Sequence, residues 1–204
     1  MTPVVRQLLF ANLVVFVLQQ VTPDALLTHF ALWPLGTHGS FLGPVGFEPW
    51  QLLTSAFLHG GLAHIALNMF ALLSFGSMVE SAAGSRRFAA LYLASVLAAG
   101  LVQLWVVSAG DGGAVPTVGA SGGVFGVLLA FAWLFPQARV MLLFPPIPMK
   151  AWVLVALFAI IELSSGVLGT AQGVAHFAHL GGMLGAIATM LFWRHTPRGG
   201  PTRA

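Results

Sequence analysis

The 204-residue chain contains no cysteine. Disulfides, cysteine–metal sites and a thiol nucleophile are therefore excluded, and the redox compartment leaves no mark. Charge is nearly as scarce. Asp, Glu, Lys and Arg make up 6% of the residues, whereas soluble domains carry roughly a quarter. Hydrophobic residues reach 58% and the mean hydropathy is +0.92. A soluble fold so poor in charge would not stay dispersed. The composition excludes a soluble enzyme and a disordered tail, and it defines an integral membrane protein. The pI of about 10.7 reflects an excess of three positive charges over a very small total. No basic stretch alternates with aromatic residues, so nucleic acid is not an expected partner.

Long apolar runs are what the chain does have. A spanning helix needs about 20 mostly apolar residues. Six segments are expected to cross the bilayer: 5–21, 60–80, 88–108, 119–136, 150–169 and 174–193. The first carries Asn12, is followed by Gln19 and Gln20, and has no small-residue cleavage site after it. It reads as a retained helix rather than a signal peptide. Residues 22–50 form a long loop rich in Gly, Pro and aromatics, and Pro136–Pro148 forms a proline-rich connection.

The basic residues sort by loop. Arg6, Arg86, Arg87, Arg139, Lys150, Arg194, Arg198 and Arg203 all fall on one side of a six-span topology. Asp24, Glu48 and Asp111 fall on the other. The positive-inside rule then puts both termini in the cytoplasm. Trp133, Trp152 and Trp193 lie near the inner boundary and Trp50 and Trp105 near the outer one, as an aromatic belt does.

Polar groups inside a membrane span are costly and mark function by default. His64 and Asn68 are four residues apart on one helix face, with His59 at the outer mouth. Ser121 opens a helix after the Gly-rich stretch at Gly119, where free backbone N–H groups can meet an anion. His176 and His179 are one turn apart. Gly181 and Gly185 form one small-residue face and Gly122 and Gly126 another, and such faces let helix backbones approach closely. Glu162 lies about 18 Å from Lys150 at 1.5 Å per residue. No partner for it can be identified, so a structural hydrogen bond is favoured over catalysis. Ser121 precedes Arg139 by 18 residues and His179 precedes Arg194 by 15, which gives heights of about 27 Å and 22 Å. Four polar groups from three helices can thus converge in the outer part of the membrane, although the sequence does not say which faces meet.

Missing motifs narrow the chemistry. No His-Glu-x-x-His is present for a zinc protease. No second membrane carboxylate accompanies Glu162 for an aspartyl mechanism. The sole lysine, Lys150, is at the inner boundary, which excludes a Ser–Lys pair. Ser with His remains, and with no Asp to orient the imidazole, a dyad is expected.

Taken together, Gly119-Ala120-Ser121-Gly122, the set His59, His64 and Asn68, and Ala175-His176-Phe177-Ala178-His179-Leu180-Gly181-Gly182 resemble the signature motifs of rhomboid intramembrane serine proteases. The likeness runs from about Trp50 to Trp193 and includes Glu80, Gly84, the Ser85-Arg86-Arg87-Phe88 turn and Tyr92. The resemblance implies an all-α, polytopic six-helix bundle of the minimal bacterial form, with residues 1–204 as a single membrane domain. It implies Ser121 as nucleophile and His179 as general base. His64, Asn68 and the Ser121 backbone N–H would form an oxyanion hole. His59 and Gly119 would be supportive, with His59 holding the outer loop, and Gly185 would pack the sixth helix on the fourth. Helix 5 and the cap loop near 166–173 would gate entry. Transmembrane protein substrates and the lipid bilayer are the implied partners, in a bacterial inner membrane, with no cofactor and no metal. Many relatives have Trp-Arg where this chain has Trp50-Gln51. Two rivals remain: a non-catalytic rhomboid-like protein that escorts membrane clients, and a haem or metal carrier using His64, His176 and His179.

Overall fold

The computed structural model describes residues 1–40, 42–109, 115–141, 146–170 and 173–195. Asp111, Arg198 and Arg203 lie outside the described residues. The chain is almost entirely helical. Helix α1 (Pro3–Val21) and the short α2 (Pro23–Phe30) each begin with proline at the first helical position, where its missing N–H costs nothing. Helix α2 was not expected inside the 22–50 loop, although Pro23 followed by Asp24 is an ordinary helix start. Next come α3 (Gln51–Thr54), α4 (Leu62–Ala71) and α5 (Ser77–Ala83), the last two joined by a π-turn into one rod over 62–83. Helix α6 (Ser85–Ala109) runs back along the bundle, α7 (Ser121–Leu134) is central, and α8 (Ala151–Leu168) and α9 (His176–His195) complete it.

Among the described residues, four helices are long and apolar enough to cross a membrane: Pro3–Val21, Leu62–Ala83, Ser85–Ala109 and Ala151–Leu168. Helix α7 is apolar but has only 14 residues, about 21 Å of rise. It is wrapped by its neighbours, with Val127 and Ala130 fully buried. Within the proline-rich connection, β1 (Arg139–Met141) pairs antiparallel with β2 (Pro148–Lys150), which periodicity did not suggest.

Surface and interior are inverted relative to a soluble domain. Phe10, Leu62, Trp105, Leu168 and Phe192 are exposed, while Asn12, Gln51, His59, Glu80, Ser95 and His179 are buried. Lipid provides no hydrophobic drive for helix association, so close packing and hydrogen bonds must supply it. Glycine makes that packing possible. A Cβ on Gly181 or Gly185 would press on the Ala98 or Ala94 carbonyl of α6 at 2.8 and 2.6 Å, and one on Gly182 would overlap the Gly122 carbonyl of α7. Gly185 therefore packs on α6, not on the Ser121 helix as expected. A small-residue face announces a close approach without naming its partner, and here Gly182 makes the contact with α7.

The basic ends gather at one end of the bundle. Arg87 lies over the Trp193 ring and Arg194 over Trp133, each at 5.5 Å. At the same end Glu80 accepts hydrogen bonds from the Val4 and Val5 N–H groups at 3.0 and 2.9 Å and from the Ser85 hydroxyl at 2.7 Å. It thereby caps the first turn of α1 from another helix and ties α1, α5 and α6 together. Glu80→Ala is expected to reduce stability by about 2–4 kcal/mol, because charge-assisted bonds to buried donors are lost. Thermal unfolding in detergent measures this, and an unchanged midpoint would remove the role.

Candidate active site

Two loops set the start of α7. Leu32 and Thr117 exchange backbone hydrogen bonds at 3.0 and 2.9 Å, and Gly119 N–H donates to the Ser55 carbonyl at 2.9 Å. The loop carrying Leu32 is itself held by Gln51. Its carbonyl accepts from Trp33 N–H at 3.2 Å and its amide donates to the Gly46 carbonyl at 3.0 Å. Gln51 thus secures the loop with a neutral amide. Gly119 adopts φ +133, which side-chain-bearing residues rarely do. Ser121 follows as the first residue of α7.

His179 sits in the first turn of α9. Its Nε2 lies 2.8 Å from Ser121 Oγ. The ring stacks on Phe125, with centroids 4.1 Å apart and planes within 5°. Phe125 is one turn beyond Ser121, so one face of α7 supplies both the hydroxyl and the surface that orients the imidazole. Phe125 escaped the sequence motifs, although its i+4 spacing from Ser121 was the available signal.

His64 packs against the other side of the serine loop. A Cβ on Gly119 would come within 2.7 Å of His64 Cε1 and 2.9 Å of Nε2. Gly60 N–H donates to His64 Nδ1 at 3.3 Å. In the neutral ring the proton is then on Nε2, the nitrogen facing Gly119. Asn68 donates one amide hydrogen to the His64 carbonyl at 2.9 Å and keeps a second. Gly119→Ala is expected to lower stability by about 1–3 kcal/mol by displacing His64 and straining the turn. Thermal unfolding in detergent tests this, and an unchanged midpoint would refute it.

His59, just before α4, is buried. Burial, with the neighbouring His64 ring second, pushes it down to about 4, so it is neutral at pH 7. Its backbone N–H and carbonyl both pair with the Gln19 side chain of α1, at 3.0 and 2.9 Å. It therefore ties the α4 entrance to the first helix.

Glu162 has partners that the sequence did not reveal. Its Oε2 is 2.6 Å from His176 Nδ1 and 3.0 Å from His179 Nδ1. The first contact is a hydrogen bond. The second is close but lies off the ring N–H axis and makes no linear bond. Glu162 and His176 lie seven residues on either side of Gly169, and that symmetry about the turn was the missed signal.

His64, Asn68, Ser121, Phe125 and His179 line one open cavity of about 870 Å³, bounded by Leu67 and Ala71 of α4 and Phe158 of α8. A water-sized cavity of about 30 Å³ lies behind Ser121, beside Ser55, Gln103 and Thr117. Among the described residues no three His, Asp or Glu side chains converge to hold a metal ion.

The fold and site define a polytopic helical membrane protein with a serine and a histidine in hydrogen-bond contact at the wall of an open cavity. The family model described as "Rhomboid domain" matches residues 46–195, and the chain belongs to the rhomboid family. It is 37% identical over 140 residues to "Rhomboid protein 1, mitochondrial" of Saccharomyces cerevisiae, covering 67% of this chain and 40% of that one. It is 34% identical over 138 residues to "Rhomboid protease GluP" of Bacillus subtilis, covering 68% and 25%. It is 35% identical over 135 residues to "Presenilin-associated rhomboid-like protein, mitochondrial" of Homo sapiens, covering 65% and 35%. The matched stretch therefore spans two fifths or less of these relatives.

Proposed function

We propose that the protein is an intramembrane serine endopeptidase that cleaves transmembrane segments of other membrane proteins. The observation that carries this reading is the 2.8 Å contact between Ser121 Oγ and His179 Nε2 on the wall of the cavity. A hydroxyl is a weak nucleophile until a base takes its proton, and this contact is within the required reach. Ser121 Oγ attacks the scissile carbonyl while His179 Nε2 takes the proton. The tetrahedral oxyanion is stabilised by donors from residues that line the cavity: His64 Nε2–H, the second amide hydrogen of Asn68 and the Ser121 backbone N–H. His179 then protonates the leaving amine, and water releases the acyl group. The small cavity behind Ser121 can hold that water.

Entry from the bilayer fits the cavity walls, since α4 and α8 bound it on either side. A substrate helix must unwind to present a carbonyl, because helical carbonyls are already hydrogen-bonded. Gly, Pro and other weak helix formers near the cleavage point lower that cost. We place the protein in a bacterial inner membrane with both termini cytoplasmic, and the relatives named as mitochondrial make a mitochondrial membrane the alternative.

Purified protein in lipid vesicles tests the reading with a single-span substrate and a fluorophosphonate probe. The wild type is expected to cleave the substrate and to label at Ser121. Labelling should vanish in Ser121→Ala and His179→Ala. Absence of both cleavage and labelling in the folded wild type, or cleavage by Ser121→Ala, would overturn it.

A further inference from the structure

Glu162 is 8% exposed and is the one charged residue of α8. An unpaired carboxylate there would be costly, so its partners carry meaning. Both neighbouring imidazoles turn Nδ1 toward the same oxygen, Oε2. Proton positions follow from what each partner can do. His176 Nε2 is 3.1 Å from the Thr170 carbonyl and its Nδ1 is 2.6 Å from the Glu162 carboxylate; both partners only accept, so both nitrogens carry protons and the ring is an imidazolium paired with Glu162. His176 is thereby fixed at both ends, by Thr170 on one side and Glu162 on the other. At His179, Nε2 must be bare to take the Ser121 proton. The proton of the neutral ring is then on Nδ1, on the side of Glu162.

We infer that Glu162 is a positioning residue for the proposed protease, holding His179 in the Nδ1-protonated tautomer with its Nε2 lone pair on Ser121. His176 and the Thr170 carbonyl hold the carboxylate in place. When Ser121 Oγ bonds to the scissile carbon, its O–H bond breaks and an N–H bond forms at Nε2. The imidazolium so created lies beside a carboxylate, which stabilises the charge and keeps its own oxygen unprotonated. The resting contact is strongly bent, so the carboxylate or the ring must turn for a linear bond to form as the charge develops on His179. The pair of Ser121 and His179 is thus extended by a glutamate from α8, the helix that also bounds the cavity.

This inference rests on the protease reading, and its test separates the two. Full-length Glu162→Gln in lipid vesicles is expected to lose about 10–100-fold in kcat with KM within about threefold of wild type, because substrate contacts are untouched. Nitrogen NMR of histidine-labelled wild-type protein gives a readout independent of activity: a protonated Nδ1 and a bare Nε2 on His179, with that preference lost in Glu162→Gln. A folded Glu162→Gln protein with kcat within twofold of wild type overturns the inference while leaving Ser121 and His179 in place. If Glu162→Gln does not fold, the wild-type spectrum decides alone, and a neutral His179 protonated on Nε2 overturns the inference. Cleavage by Ser121→Ala would overturn the protease reading itself.

Discussion

Ser121→Ala is expected to lower kcat/KM on a transmembrane substrate by at least about 10⁴-fold while leaving the fold intact. The stability half follows from the geometry. Ser121 is half-buried at the first turn of α7, and its hydroxyl contacts His179 across an open cavity, so the alanine leaves no packed void. Thermal unfolding should move little. The rate half follows from the proposed chemistry: without Oγ no acyl-enzyme would form, and His64 and Asn68 would polarise a carbonyl that nothing attacks. Because hydroxyl and imidazole act as a unit, Ser121→Ala/His179→Ala should be no slower than either single variant. Additive losses would mean that the two side chains act separately, and retention of a tenth of wild-type activity would remove Ser121 from the chemistry.

Helical rise is why so much of this pair was legible. Sequence positions convert to heights at 1.5 Å per residue, so the residue numbers alone put Ser121 and His179 within about 5 Å of each other in depth. Rise gives height but not rotation, and the misreadings follow from that gap. Gly185 was expected against the Ser121 helix because both helices carry paired glycines. It packs instead on the Ala94 turn of α6. Glu162 had no visible partner because its contact with His176 and His179 forms across a turn between two helices rather than along one. The basic residues were the most legible feature, since charge is excluded from the span. The described ones, including Arg87 on Trp193 and Arg194 on Trp133, gather at one end of the bundle. The hairpin at Arg139–Met141 and Pro148–Lys150 and the short α2 escaped because four prolines and a Gly-rich context read as loop. Six spans were expected, and by length and composition alone four of the described helices qualify, because α7 is short and α9 carries His176 and His179 in its first turn.

Gly182→Ala should damage both stability and turnover, more than any other single methyl in the bundle. A Cβ there would overlap the Gly122 carbonyl. Both residues are buried and the obstacle is backbone, so no rotamer change can relieve it; α7 and α9 must move apart. The expected loss is about 3 kcal/mol, at the upper end for overpacking. The catalytic loss is larger in proportion. Gly182 is three residues from His179 and Gly122 adjoins Ser121, so the same contact sets the 2.8 Å spacing of the pair. A misplacement of about 1 Å can cost on the order of 100-fold, and kcat/KM should fall at least that far in the protein that remains folded. Gly185→Ala supplies the contrast. Its Cβ would strike the Ala94 carbonyl of α6 at 2.6 Å, one turn further from His179. It should destabilise comparably and reduce turnover much less. Unfolding curves and single-turnover cleavage of the two variants separate these effects. Equal activity loss at equal stability loss would show that the Gly182–Gly122 contact holds the bundle together without setting the distance between Ser121 and His179.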